Sequence, residues 1–234
     1  MPYPDEFEVH LPSGIVLNGG RDTDGVLYTC ATLDGWGTPA GTGGGSPKAG
    51  AHGESVSRQW LQARTLTATG RIEAPTTLLR QQAQHKLEAA FGLDLFPMTV
   101  TDAIPLTVQA YRNGDVSRVD DTDTMATWQA ELKCPDPRRY GTARTVSLNL
   151  PSTTGGDTWP EQWPEQFDGT TVTGDGTATN AGNIAAPSRV TFTGPLTNPS
   201  LTNATTGQSV TYNSTLGVGE FVQIYLRSPM LALL

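Results

Sequence analysis

Histidine and cysteine are the side chains most used for metal binding and for base or nucleophile chemistry. This chain has few: His10, His52 and His85, with Cys30 and Cys134. None stand at the close spacing a zinc site needs. A Ser-His-Asp set cannot be judged by spacing, because its members lie far apart along a chain. No Gly-x-Ser-x-Gly elbow is present to expose a serine. Gly41-Thr42-Gly43-Gly44-Gly45 has the look of a phosphate cradle. A cradle needs a Lys-Ser/Thr pair and a helix directly after it, whereas Lys48 is followed by Ala49, so nucleotide binding is not expected. The acidic run Asp120, Asp121, Asp123 lacks the glycine at the sixth place of a calcium loop and reads as a solvated turn. Glu161 and Glu165 stand beside Trp159 and Trp163, which invites a glycosidase pair. Their Pro-punctuated, twice-written WPEQ segment is a poor scaffold for rigid catalysis. Sugar stacking on Trp159, Trp163 or Tyr212 is the milder reading, and tryptophans covering a domain junction the plainest. Asp5, Glu6 and Glu8 read as solvated charges. No catalytic set emerges, so no enzyme activity, cofactor or metal is expected. Cys30 and Cys134 are open to a disulfide, and two small buried thiols are the expectation.

The elements that would carry these residues are mostly strands. Of 234 residues, 36% are hydrophobic and 16% charged, while Gly 26 and Pro 17 make the chain rich in turns. Five Trp, six Tyr and six Phe, spread along the length, are enough to seed cores. The net charge is −8 and the pI about 4.8, and Arg138-Arg139 is the one adjacent basic pair. Such a surface repels nucleic acid phosphates. No run approaches the length of a membrane span, and MPYPDEFEVH lacks the form of a secretory signal.

GIVLNGG and GVLYTCATLDGWG read as strands closed by Asn18-Gly19-Gly20 and Asp34-Gly35. Thr38–Ser55, with six glycines, two prolines and no apolar period, reads as a long mobile loop. RTLTATGRIEA alternates as a strand. PTTLLRQQAQHKLEAAFG is the one convincing helix. Leu79, Ala83, Leu87 and Ala90 or Phe91 fall on its inner face. Arg80, Gln81, Gln84, Lys86 and Glu88 fall on the outer one, and His85 is a surface side chain. Asn113-Gly114 between alternating runs predicts a hairpin turn. MATWQAELKCPDP sets Ala126, Trp128 and Ala130 on one face until Pro135 and Pro137 stop the strand. The rest, from about Thr171, is strand and turn. The chain thus divides into an α+β part, 1–150, and an all-β part, 151–234.

Two segments carry a family resemblance. AELKCPDPRRYG resembles the strand-ending segment of siphophage distal tail proteins, also called minor tail proteins, through Asp136, Pro137, Arg138 and Tyr140. NAGNIAAPSRVTFTGPLTNPSLTN resembles the start of that family's C-terminal domain through Asn180, Gly182, Pro187, Gly194, Asn198, Pro199, Leu201 and Asn203. HGESVSRQWLQARTLTATGRI and TTGQSVTYNSTLGVGEFVQIYL follow the family's order, so the likeness spans about Leu27 to Leu226. The resemblance implies a mainly β (α+β) chain: a split β-barrel with one helix, then a galectin-like β-sandwich that here lacks its last strands. It implies a structural virion protein at the distal end of the tail. The chain would form a homohexameric ring between the tail tube protein and the tail-tip or baseplate hub, with the tape measure protein as a further contact. Neither a membrane nor a specific nucleic acid is an implied partner. The alternative is a carbohydrate-binding module on the virion. Within the second motif, Asn and Gly turn the chain while Val190, Phe192 and Leu201 supply core.

Overall fold

The computed structural model describes residues 7–150, 152–154, 170–172, 174–184 and 186–226. The chain divides into two compact units, Met1–Ala143 and Arg144–Leu234.

The first unit is built on one antiparallel sheet. Its opening strands are β1 (Glu8–His10), β2 (Val16–Leu17) and β3 (Leu27–Asp34). An excursion follows, formed by β4 (Gly41–Thr42), β5 (Gly45–Pro47), β6 (Glu54–Val56) and β7 (Trp60–Leu61). Then come β8 (Arg64–Glu73), helix α1 (Thr77–Ala90), β9 (Phe96–Thr101), β10 (Pro105–Asp120) and β11 (Met125–Cys134). The sheet has seven strands in the order β2-β1-β9-β10-β11-β8-β3. Period-two alternation explains its core. Leu66, Ala68 and Ile72 of β8 point inward with Ala126, Trp128, Ala130 and Leu132 of β11, and threonines alternate between the β8 residues. Gly70 is required on that face. A Cβ there would lie 1.8 Å from the Thr29 carbonyl oxygen and 2.8 Å from the Trp128 ring.

The sheet curls until its edges, β2 and β3, meet at Asn18, but no ladder joins them, so the barrel stays split. The Asn18 side chain spans the seam. Its Nδ2 donates to the carbonyls of Phe7 (3.1 Å) and Cys30 (3.0 Å), and its Oδ1 accepts from the Cys30 amide (2.9 Å). Asn18 holds φ 65°, a left-handed conformation that asparagine tolerates better than most residues.

Helix α1 is capped by Thr76, whose hydroxyl accepts from the Leu79 amide, and it lays Ala83, Leu87 and Ala90 on the core. His85 is exposed beside Glu88, as expected. Arg80 and Gln84 correct the expected outer face, since both are buried. They reach Asp120 at the end of β10, and Arg80 Nε also donates to the Asp123 carbonyl at 3.0 Å. Burial is affordable because each polar head has a partner.

Two further expectations are corrected. Asn113-Gly114 is no hairpin turn; it lies inside β10, where Arg112 to Val116 faces only Leu132 to Ala130. The extra residues bulge outward, with Gly114 at φ 102°. The turn itself follows Asp120, where the amides of Asp121 and Thr122 both donate to the Met125 carbonyl. Thr38–Ser55 is not irregular either. It belongs to a two-stranded arm in which β4 pairs with β7 and β5 with β6, closing at Lys48–Gly53.

The second unit contains β12 (Ser152–Thr154) paired with β13 (Thr170–Val172). It continues with β14 (Ser188–Thr193), β15 (Leu196–Thr197), β16 (Ser200–Thr202), β17 (Ser209–Thr211), β18 (Thr215–Leu216) and β19 (Phe221–Leu226). The pairs are nested: β14–β19 encloses β15–β18, which encloses β16–β17. Residues 188–226 therefore run out and back once, as an interrupted hairpin. Val190, Phe192 and Leu201 are half-buried, and Pro199 and Leu216 are the buried residues among those described in this unit.

Candidate functional site

Among the described residues no group of three or more His, Cys, Asp or Glu is placed to hold a metal ion. Asp120 is engaged by Gln84 and Arg80, whose hydrogen bonds hold its carboxyl below the usual carboxylate range. Asp121 accepts from the Thr127 hydroxyl at 2.6 Å. Cys30 and Cys134 are buried free thiols. Cys30 pairs with Gly70 and Cys134 with Arg64, six places apart on β8, or about 20 Å at strand rise, too far to bridge. Burial pushes Cys30 up to about 12; it also pushes Cys134 up to about 11, against a smaller opposing pull from Arg64. Neither thiol is poised to react.

Two hollows on the first unit are lined by charges that are largely engaged with one another or with the backbone. Asp22 Oδ1 accepts from the amides of Asp24 and Val26 at 3.0 and 2.9 Å. Arg21 is held by Glu73 and by the Gly25 carbonyl.

The Asp136-Pro137-Arg138-Arg139-Tyr140 segment is a compact polar knot. Asp136 Oδ1 accepts from the Arg138 amide and Nε, and Oδ2 accepts from Arg138 Nη2 (2.8 Å) and the Tyr140 hydroxyl (2.6 Å). Burial pushes the Asp136 carboxyl up, but these bonds and the Arg138 charge outweigh it and leave the group lowered. Tyr140 is pushed up to about 12 by burial and by its bond to Asp136. Its backbone pairs with Thr107 at 2.7 and 2.9 Å, pinning this stretch to β10.

Arg64, absent from the residues singled out by sequence, is 3% exposed. Its Nη1 donates to the carbonyls of Gly35 and Trp36, at 2.7 Å each, and of Gly37. Nε and Nη2 donate to the Pro137 carbonyl at 3.2 and 2.9 Å. Burial and the nearby Arg139 lower its pKa. Its guanidinium stands 5.8 Å from the Trp36 ring centroid and that of Arg139 5.4 Å. The signal was legible: Arg64 falls on the inward phase of β8 with Leu66, Ala68 and Ile72, where a cation requires an explanation.

The arm beyond this cluster is exposed along both strands, with Val56 at 65% and Trp60 at 59% exposure. Arg58 lies 4.3 Å from the Trp60 ring.

In the second unit the motif residues set turns and ladder breaks. Asn180 closes a turn by accepting from the Gly182 amide and donating to the Ile184 carbonyl. Pro187 directly precedes β14. Gly194 marks the first break, and a Cβ there would lie 2.1 Å from the Gly217 carbonyl oxygen. Asn198, at φ 48°, and Pro199 mark the second, bonded across to Ser214 and Tyr212. Leu201 pairs with Val210 in β16–β17, and Asn203 turns the tip by accepting from the Thr205 and Thr206 amides. Trp159, Trp163, Glu161 and Glu165 lie outside the described residues. On β19, Phe221 and Tyr225 are exposed at 64% and 67% on one face, flanking Gln223 and opposite Thr193 and Arg189.

These features define a mainly β protein whose motifs serve architecture. No protein-family model and no curated protein matches the chain. The fold is similar to the crystal structure of the SPP1 Dit (gp 19.1) protein, described as a paradigm of the hub adsorption apparatus in phages infecting Gram-positive bacteria. The match has a TM-score of 0.58 at 15% identity and covers 94% of this chain and 79% of that one.

Proposed function

We propose that this chain is a structural component of a phage tail tip, acting without catalysis. In this reading it self-associates into a ring that joins the tail tube to the tip or baseplate hub. The observation that carries it is the fold likeness over 94% of the chain to the SPP1 hub protein. The arm adds support. An isolated two-stranded ribbon is marginal in water, and this one exposes Val56, Trp60 and Leu61. Packing against a neighbouring copy would stabilise it. The mass of the purified chain in solution, with negative-stain images of the same sample, tests this reading. A closed ring with an open centre is expected, six-membered if the family pattern holds. A strict monomer, also in the presence of tail tube and hub proteins, would overturn it.

A second reading rests on the β14–β19 face. Phe221 and Tyr225 offer stacking surfaces on either side of hydrogen-bonding side chains, which suits a saccharide chain. Binding of purified cell-wall polysaccharide that is lost in both Phe221→Ala and Tyr225→Ala would favour a glycan-binding module. Equal binding by the variants would remove that face from consideration.

A further inference from the structure

We propose that Arg64, Trp36 and Arg139 form a joint that locks the arm to residues 136–140, so that loosening either loosens the other. This inference concerns the first unit by itself and holds whether or not the chain forms rings.

The arm has two roots. One is the Gly35–Gly37 stretch after β3; the other is the start of β8, where Arg64 is the first residue. The Arg64 guanidinium bonds all three carbonyls of the first root and also that of Pro137. One side chain thus ties both roots to the segment that follows β11. No carboxylate among the described residues pairs with it; the carbonyl dipoles carry the compensation. Arg139 reaches back from that segment, donating to the Trp36 carbonyl at 3.3 Å and lying over the Trp36 ring. On the far side, the Asp136–Arg138–Tyr140 knot and the Thr107–Tyr140 pairing fix the segment to β10.

The arm leaves the sheet after β3 and returns into β8 at these roots, so its direction depends on them. A guanidinium suits the task because its planar fork donates from three separate nitrogens to carbonyls on two sides; an ammonium has three donors on one atom and cannot span them all. Buried, fully bonded polar clusters have few alternative arrangements, so strain on one side passes to the other.

The test uses the full chain carrying nitroxide pairs, diluted into unlabelled protein to suppress distances between copies. Cys30 and Cys134 are buried and stay unlabelled. One pair, Ser46→Cys with Gln81→Cys, reports the arm against helix α1. The other, Thr142→Cys with Gln81→Cys, reports the segment after Tyr140 against the same helix. All three positions are exposed. Asp136→Asn weakens the knot without touching the arm. The joint predicts that both distance distributions broaden, each about twofold. Arg139→Gln, a change at an exposed side chain, is expected to do the same, and Arg64→Lys more strongly. Broadening confined to the 142–81 pair in Asp136→Asn would overturn the proposal. So would an unchanged arm distribution in Arg139→Gln, which keeps the test open where Arg64 variants fold poorly.

Discussion

The two units solve the same problem, holding antiparallel strands together, in opposite ways. The first curls seven strands around a continuous apolar core that includes Leu66, Ile72, Leu87, Met98, Trp128 and Leu132. The second, in its described residues, pairs strands two at a time, with asparagines and tight backbone approaches at the breaks. Core burial contributes in proportion to the area removed from water, whereas each turn contributes a hydrogen bond or two. The first unit is therefore where side-chain volume matters, and the second where backbone conformation matters.

The largest expected effect that would break this contrast lies at Gly70. Gly70→Ala forces a methyl against Thr29 and Trp128 and is expected to cost about 4 kcal/mol or more in urea unfolding followed by tryptophan fluorescence. A near-neutral result would mean that the β3–β8 contact yields readily. Next comes Leu132→Ala, fully buried on β11, with an expected loss of about 3 kcal/mol. Asn18→Gly keeps the positive φ but removes the seam bonds, leaving the Cys30 amide without its acceptor. About 2 kcal/mol is expected, read from the shift in the denaturation midpoint. The smallest is Asn203→Ala in the second unit, about 0.5–1 kcal/mol, measured as faster proteolysis at the β16–β17 tip. If Asn203→Ala cost as much as Leu132→Ala, the contrast would fail.

Titration sharpens the same contrast. Asp120 and Asp136 are lowered in the fold, so their contribution is present above the ordinary carboxylate range and fades as pH falls through their folded values, below about pH 4. Tyr28 and Cys30 are raised to about 12 and Cys134 to about 11. Their contribution is whole below the unfolded thiol value of 9.0 and is lost as pH rises toward the folded values. All five groups lie in the first unit. Melting temperature is thus expected to fall on both sides of a plateau, with the fluorescence of buried Trp128 following it. A flat profile from pH 9 to 11 would count against burial of these thiols.

Much of the first unit was legible because its signals are local. β8, β11 and α1 follow period two or period 3.6. What escaped was decided by pairing across the sheet. Asn113-Gly114 has the composition of a turn, but a bulge opposite Leu132 and Ala130 meets the same need for a positive φ. The glycines of Thr38–Ser55 hide a ladder because they carry no side chains to alternate. Arg80 and Gln84 look like an outer helix face until Asp120 arrives from forty residues away to satisfy them. In the second unit, Asn180, Gly194, Asn198 and Asn203 were legible as turn formers. Their nesting into one hairpin was not, because turn chemistry names a bend without naming the strands it joins.

The pairing of β1 with β9 sets a schedule for synthesis. Val9 lies against Leu17 on one side and Val100 on the other, so β1 can pair early with β2 but its second edge stays open until β9 has left the ribosome. Until then Val9 and Leu17, both fully covered in the finished fold, are open to any sheet edge in reach. On a polysome crowded with identical nascent chains, that interval is when the wrong copy could be captured.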